Sequence, residues 1–316
     1  MNENKKKCWL YAVLTLGASG AAAYFQYILN RDYADTEYGL YEIGSSAPGA
    51  FYIFLAVAGL LMITPVFTLR QDSLPVGLKH GGILTSITAI ASAVFMIISS
   101  VSYLMSNKDS FLAFGGMDTA TKLMLVCSVI AFPAAVYYFS VAFSGKSKSR
   151  FAPFLSFFPV IWTLAYLMAI YFDRGMIINS PVKTLEQLAI ISFMLYQLFE
   201  SRAMLEKSKS ALYFSLSNIT VILLAAAFIS ELIPVAMGTK QIGVSYVYII
   251  YFSVSSLYVF ARSVEFAAIS DGVVVRTKKL FPNIIPQNEE LFSEDEADAD
   301  EEEMAFDVEG EQKDGN

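Results

Sequence analysis

The sequence predicts an all-α, polytopic integral membrane protein with about eight transmembrane helices and a disordered acidic C-terminal tail, and three observations predict it. Hydrophobic residues make up 55% of the 316, charged residues only 16%, and mean hydropathy is +0.51, a balance outside the range of water-soluble globular chains. The apolar residues gather in eight runs, each near the ~20 residues a helix needs to cross a hydrocarbon core of about 30 Å. Charge is also partitioned along the chain. Residues 289–316 hold fourteen acids and one Lys, whereas the first 288 hold fifteen acids and twenty-one bases.

These observations divide the chain into an eight-span domain (1–266), a basic juxtamembrane segment (267–288) and an acidic tail (289–316). The expected spans are 8–29, 50–69, 82–105, 119–143, 153–172, 184–204, 212–236 and 244–266. The first follows Lys5, Lys6 and Lys7 and contains GASGAAA, which resembles a secretory signal with its cleavage site. The apolar run continues through Tyr27, Ile28 and Leu29, so an uncleaved span is expected, with Gly17, Gly20 and Ala21 admitting a close neighbour. Pro65, Pro133 and Pro159 are expected to kink their helices. The Ser and Thr residues of the third span (Thr85, Ser86, Thr88, Ser92, Ser99, Ser100 and Ser102) are expected to satisfy their hydroxyls on their own backbone or a neighbour, a packing role rather than a conduction path. Before the sixth span, Ser180 and Pro181 form a helix start, with Ser capping and Pro in the first turn.

Direction follows from Lys and Arg, which collect in cytoplasmic connections. Fifteen basic residues fall at the N-terminus, after the even-numbered spans and at the end of span eight, against six in the opposite connections. Both termini are therefore expected in the cytoplasm, in a cell (plasma) membrane of bacterial type. The turns 146–150 and 207–211 look alike, but they follow spans four and six and mark no internal repeat. The tail cannot bury enough apolar surface to fold alone.

Motifs exclude several classes. SGKSKS (144–149) has Ser140 where a phosphate-binding loop needs glycine. The sequon at Asn218 lies inside a span, out of reach of glycosylation. Two cysteines, Cys8 and Cys127, read as free thiols. With a single histidine, His80, no metal or cofactor is expected. No catalytic set assembles, and nucleic-acid binding is dropped because the only long charged segment is acidic.

What remains is polar residues inside spans. Glu186, Gln197 and Glu200 differ by 0, 11 and 14 positions and fall within a sector of about 60° on an α-helix. Span seven carries a row of Ser217, Thr220 and Glu231, and span eight a row of Tyr248, Ser255 and Arg262. By depth, Glu200 and Arg262 share the inner level, while Glu186 and Glu231 share the outer one with Lys183 and Arg174 near.

Charge inside a membrane is costly and often marks a path or site. One reading is a small-solute or proton-coupled permease with a polar cavity between spans six, seven and eight. Its candidate substrate-binding residues are Glu186, Gln197, Glu200, Thr220, Glu231, Ser255 and Arg262. The alternative is a membrane sensor or scaffold whose acidic tail recruits a cytoplasmic protein; an intramembrane enzyme ranks third. Expected partners are the lipid bilayer, a small solute and a protein bound by the tail. Polar contacts that only fasten helices are the plainer account of Glu200 and Arg262.

Overall fold

The computed structural model describes residues 3–34, 40–41, 44–69, 82–108, 117–143, 152–173, 180–205, 209–238 and 246–270. The basic turns expected at 146–150 and 207–208, the loop with His80 and everything from residue 271, including the acidic tail, lie outside them. The chain divides into two units, Met1–Val274 and Val275–Asn316, and all described residues belong to the first.

Among the described residues the unit is helical throughout. Its long helices are α1 Glu3–Asp32, α2 Ala47–Thr68, α3 Ile83–Ser106, α4 Thr119–Phe143, α5 Pro153–Phe172, α6 Pro181–Met204, α7 Ser210–Ala236 and α8 Tyr246–Ile269. Seven of the eight are long and apolar enough to cross a membrane. The exception is α6, which matches them in length at 24 residues but carries Lys183, Glu186, Gln197, Glu200 and Arg202.

Helix starts follow local chemistry. The Ser180 hydroxyl accepts from the Lys183 backbone N–H, with Pro181 in the first turn of α6, as expected. Asp118 accepts from the Thr121 hydroxyl and, at 3.3 Å, from the Thr121 N–H at the start of α4; the hydroxyl above all holds its carboxyl below the ordinary range. Within α2, Thr64 and Pro65 interrupt the hydrogen-bond ladder, and Tyr11 of α1 meets Thr64 there at 2.7 Å. The first span proves longer than its apolar run: α1 carries its helix through Lys5, Lys6 and Lys7 at one end and Arg31 at the other.

The unit turns large apolar side chains outward and buries charged and polar ones among its core aromatics. Ile53, Leu60, Ile87 and Val129 are exposed, while Thr85, Thr163, Gln197, Glu200 and Arg262 are buried. Water would penalise such an exterior, and hydrocarbon favours it. Together with the seven apolar helices this makes the chain a multi-pass membrane protein.

From α3 to α7 each helix packs on the next, and α8 packs on α3, α7 and α1. Side chains of α8 reach further. Tyr251 meets Trp162 of α5 edge-on at 4.9 Å, Phe252 meets Phe193 of α6 at 6.0 Å, and Tyr258 meets Tyr138 of α4 at 5.3 Å. Buried residues make up 61% of the apolar window of α8 against 22% for α2, so α8 is the centre and α2 lies at the edge. Aromatic rings fill this centre, each well-oriented pair adding ~0.5–1.5 kcal/mol beyond its buried area.

Two expectations about faces are corrected. Gly17, Gly20 and Ala21 face outward, and nothing lies within 4 Å of a Cβ built at either glycine. The close approach to α1 is made instead by Ala12, Thr15, Ser19, Ala22 and Ala23 on its opposite side. The row of span seven is also broken. Residues Ala225–Ile229 form a π-helical turn within α7, and the extra residue that a π-turn accommodates turns everything after it by about 100° relative to a regular α-helix. Glu231 consequently leaves the face of Ser217 and Thr220 and turns to α1.

Candidate functional site

The charged interior falls into two clusters at opposite ends of α6, labelled inner (the C-terminal end of α6) and outer (its N-terminal end) after the direction expected from the basic residues. At the inner end, Tyr258, Arg262 and Glu265 lie on one face of α8 at i, i+4 and i+7. Arg262 Nε donates to Glu200 Oε1 at 2.9 Å, and the Tyr258 hydroxyl donates to the same oxygen at 2.7 Å. Arg262 Nη1 donates to Glu265 Oε2 at 2.9 Å, and the Thr85 hydroxyl of α3 donates to that oxygen at 3.0 Å. Side-chain exposure is 1% for Arg262, 2% for Glu200 and 10% for Glu265. One guanidinium thus bridges two buried carboxylates, with Tyr137, Tyr196 and Tyr213 within reach of its field.

Glu200 and Arg262, placed at one level by depth in the sequence, are therefore a direct pair. Glu265, Tyr258 and Thr85 were missed. Their signals were present: Glu265 and Tyr258 stand three and four residues from Arg262, and Thr85 opens a helix at the same inner level.

Gln197 sits one turn further out and is held on both sides. Its Oε1 accepts from Thr163 of α5 at 2.8 Å, and its Nε2 donates to the Tyr138 hydroxyl of α4 at 3.2 Å, which lies 3.4 Å from the Tyr251 hydroxyl. Gln197 faces α4 and α5, whereas Thr220 donates to the Ser192 carbonyl of α6 at 3.1 Å. Ser255 is fully buried, with no hydrogen-bond partner for its hydroxyl. Of the α3 hydroxyls, those of Thr88, Ser99 and Ser100 bond to their own helix, Thr88 to the Leu84 carbonyl and both serines to that of Met96, while Thr85 reaches a neighbouring helix and the buried Ser92 hydroxyl has no partner.

The outer cluster is built by α1, α6 and α7. Asn30 Nδ2 donates to Glu231 Oε1 at 2.8 Å, Gln26 Nε2 donates to Asn30 Oδ1 at 2.7 Å, and the same Nε2 donates to the Tyr41 hydroxyl at 3.0 Å. Burial pushes the Tyr41 phenol up; the Gln26 hydrogen bond opposes this and the charge of Glu231 adds to it. Glu186 is half-buried and interacts through charge with Glu231, Lys183 and Asp173. Buried Lys183 donates from Nζ to the Asp173 carbonyl at 2.6 Å. Glu186 and Glu231 are thus electrostatic neighbours. Gln26 and Asn30 were missed, although their i, i+4 spacing on α1 was a signal.

Between the clusters lies a mainly apolar layer. Glu186 and Gln197 are separated by about 16 Å of helix, over which α6 presents buried Ile190, Phe193 and Tyr196. A crevice of about 290 Å³ lies elsewhere, between α2, α6 and α7, with apolar walls that include Leu55, Leu188 and Ile222. Among the described residues no group of three or more His, Cys, Asp or Glu side chains could hold a metal ion. Cys8 and Cys127 are both free and buried. No protein-family model, curated protein or solved structure matches this chain.

Proposed function

We propose that this multi-pass membrane protein is a small-solute or proton-coupled permease of eight spans, α6 being the eighth, with both termini in the cytoplasm of a bacterial cell. The observation that carries this reading is the inner cluster. A buried ion pair usually holds helices no better than apolar side chains of the same volume, and here a second carboxylate, Glu265, adds one more acid than base. Charge kept at such a cost fits a group that must gain and lose a positive partner during a cycle. The π-turn and Pro234 in α7, beside Glu231, supply a place where that helix can change register. Glu186, Gln197, Glu200, Thr220, Glu231, Ser255 and Arg262 are the proposed solute path, closed in this conformation by the layer around Phe193.

The packed aromatic centre favours a second reading. A bundle filled by rings suits a membrane sensor or scaffold, with the acidic tail binding a basic cytoplasmic partner. The two are separated by charge movement. Full-length protein on a solid-supported membrane receives pH steps, alone and with amino acids, sugars or monovalent cations. A permease gives a transient displacement current that Glu200→Gln abolishes. Absence of current under every condition removes the permease reading and leaves the scaffold.

A further inference from the structure

We propose that the outer cluster is a binding site for a small monovalent cation, held by Glu186, Glu231 and the side-chain oxygen of Gln26. This deepens the permease reading by naming the class of solute, and rests on it only for the role of the site in transport.

The orientation of two amides carries the inference. A carboxylate only accepts, so Asn30 must turn its Nδ2 toward Glu231, as observed at 2.8 Å. That leaves Asn30 Oδ1 as the acceptor for Gln26 Nε2 at 2.7 Å. The Gln26 amide is thereby fixed in turn, its Nε2 also reaching the Tyr41 hydroxyl at 3.0 Å. Its oxygen is left over: Gln26 is 1% exposed, and Oε1 is buried with no hydrogen-bond partner. A buried acceptor without a donor calls for one.

The surrounding charge calls for the same thing. Glu231 and Glu186 interact with each other, and Asp173 adds to the negative side. Among the described bases, Lys183 offsets part of this charge from its seat on the Asp173 carbonyl, and Arg31 is clasped by Asp32 through two hydrogen bonds of 2.6 and 2.8 Å. Carboxylate, amide and phenol oxygens are hard donors, suited to alkali cations and to ammonium groups. Among the described residues no three acidic side chains are placed to hold one metal ion, so a single positive charge fits better than two.

The test uses full-length protein in lipid nanodiscs. Its thermal midpoint is followed while sodium, potassium or methylammonium chloride replaces N-methylglucamine chloride at constant ionic strength. At least one of the three should raise the midpoint saturably, and Glu186→Gln should move half-saturation at least tenfold higher. Gln26→Met keeps the side-chain length but removes the unpartnered oxygen, and should weaken the response similarly if Glu186→Gln fails to fold. A wild-type midpoint indifferent to all three cations, or variants that titrate like wild type, overturns the site. Cation binding without displacement current leaves the site standing and removes the permease, and current without cation binding does the reverse.

Discussion

Arg262→Met is the most informative single change in the bundle. It removes the one guanidinium that Glu200 and Glu265 share and leaves two carboxylates, 2% and 10% exposed, without their cation. Breaking a buried pair from one side costs about 3–5 kcal/mol, because the remaining charge is desolvated and uncompensated. Two acids share the loss here, so the upper half of that range is expected, a shift of about a thousandfold or more in the folded-to-unfolded ratio. Glu200→Gln should behave differently. Glutamine keeps an oxygen to accept from Tyr258 and Arg262, and Arg262 keeps Glu265. Its cost is set near that of one hydrogen bond, about 1 kcal/mol. The double variant should lose less than the two singles together, since neutralising Glu200 removes half of what Arg262→Met exposes. Equilibrium unfolding in mixed detergent–SDS micelles, read by helical circular dichroism, measures all three. An Arg262→Met protein within about 1 kcal/mol of wild type, or a Glu200→Gln protein less stable than Arg262→Met, refutes the reasoning.

Other consequences are simpler. Trp162 is fully buried, stacked on Tyr166 at 5.3 Å and edge-on to Tyr251 at 4.9 Å, so Trp162→Ala should cost about 3–5 kcal/mol in the same assay; a loss below about 1 kcal/mol contradicts the packing. Gly17→Ala and Gly20→Ala point into open space on a helix and should be neutral or stabilising by up to about 1 kcal/mol each; clear destabilisation would return the glycines to a helix contact. A cysteine replacing Asp35 in a Cys-free background should react with impermeant maleimide on whole cells, and one replacing Ser208 should not; reversed labelling inverts the proposed topology. Deleting residues 289–316 should leave the melting midpoint of the bundle unchanged, because the unit Met1–Val274 excludes them; loss of the folded bundle assigns the tail a structural role.

The positions of the helices were legible because a run of apolar residues near 20 long has one stable outcome in hydrocarbon. One match of level was legible too, since rise per residue and chain direction place residues along their helices. Glu200 and Arg262 could be matched on that basis, and they are bonded. Rotation about the helix axis was less accessible. The row of span seven assumed 100° per residue throughout, and the π-turn at Ala225–Ile229 carried Glu231 to Asn30.

By itself, then, the sequence determined composition, helix positions and the place of each polar group along its helix, which depend on local hydrophobicity and on distance along the chain. Only the tertiary structure decided which face of each helix is inside. Gly17 and Gly20 turn outward while Ala12 and Ala22 pack, Gln197 turns to Thr163 and Tyr138, and Glu265 and Thr85 complete the Arg262 cluster. In a membrane both faces of a helix are largely apolar, so hydrophobic periodicity loses the contrast that marks the buried face in water. Packing and the pairing of buried polar groups make that choice instead, and both depend on neighbours that no single helix encodes.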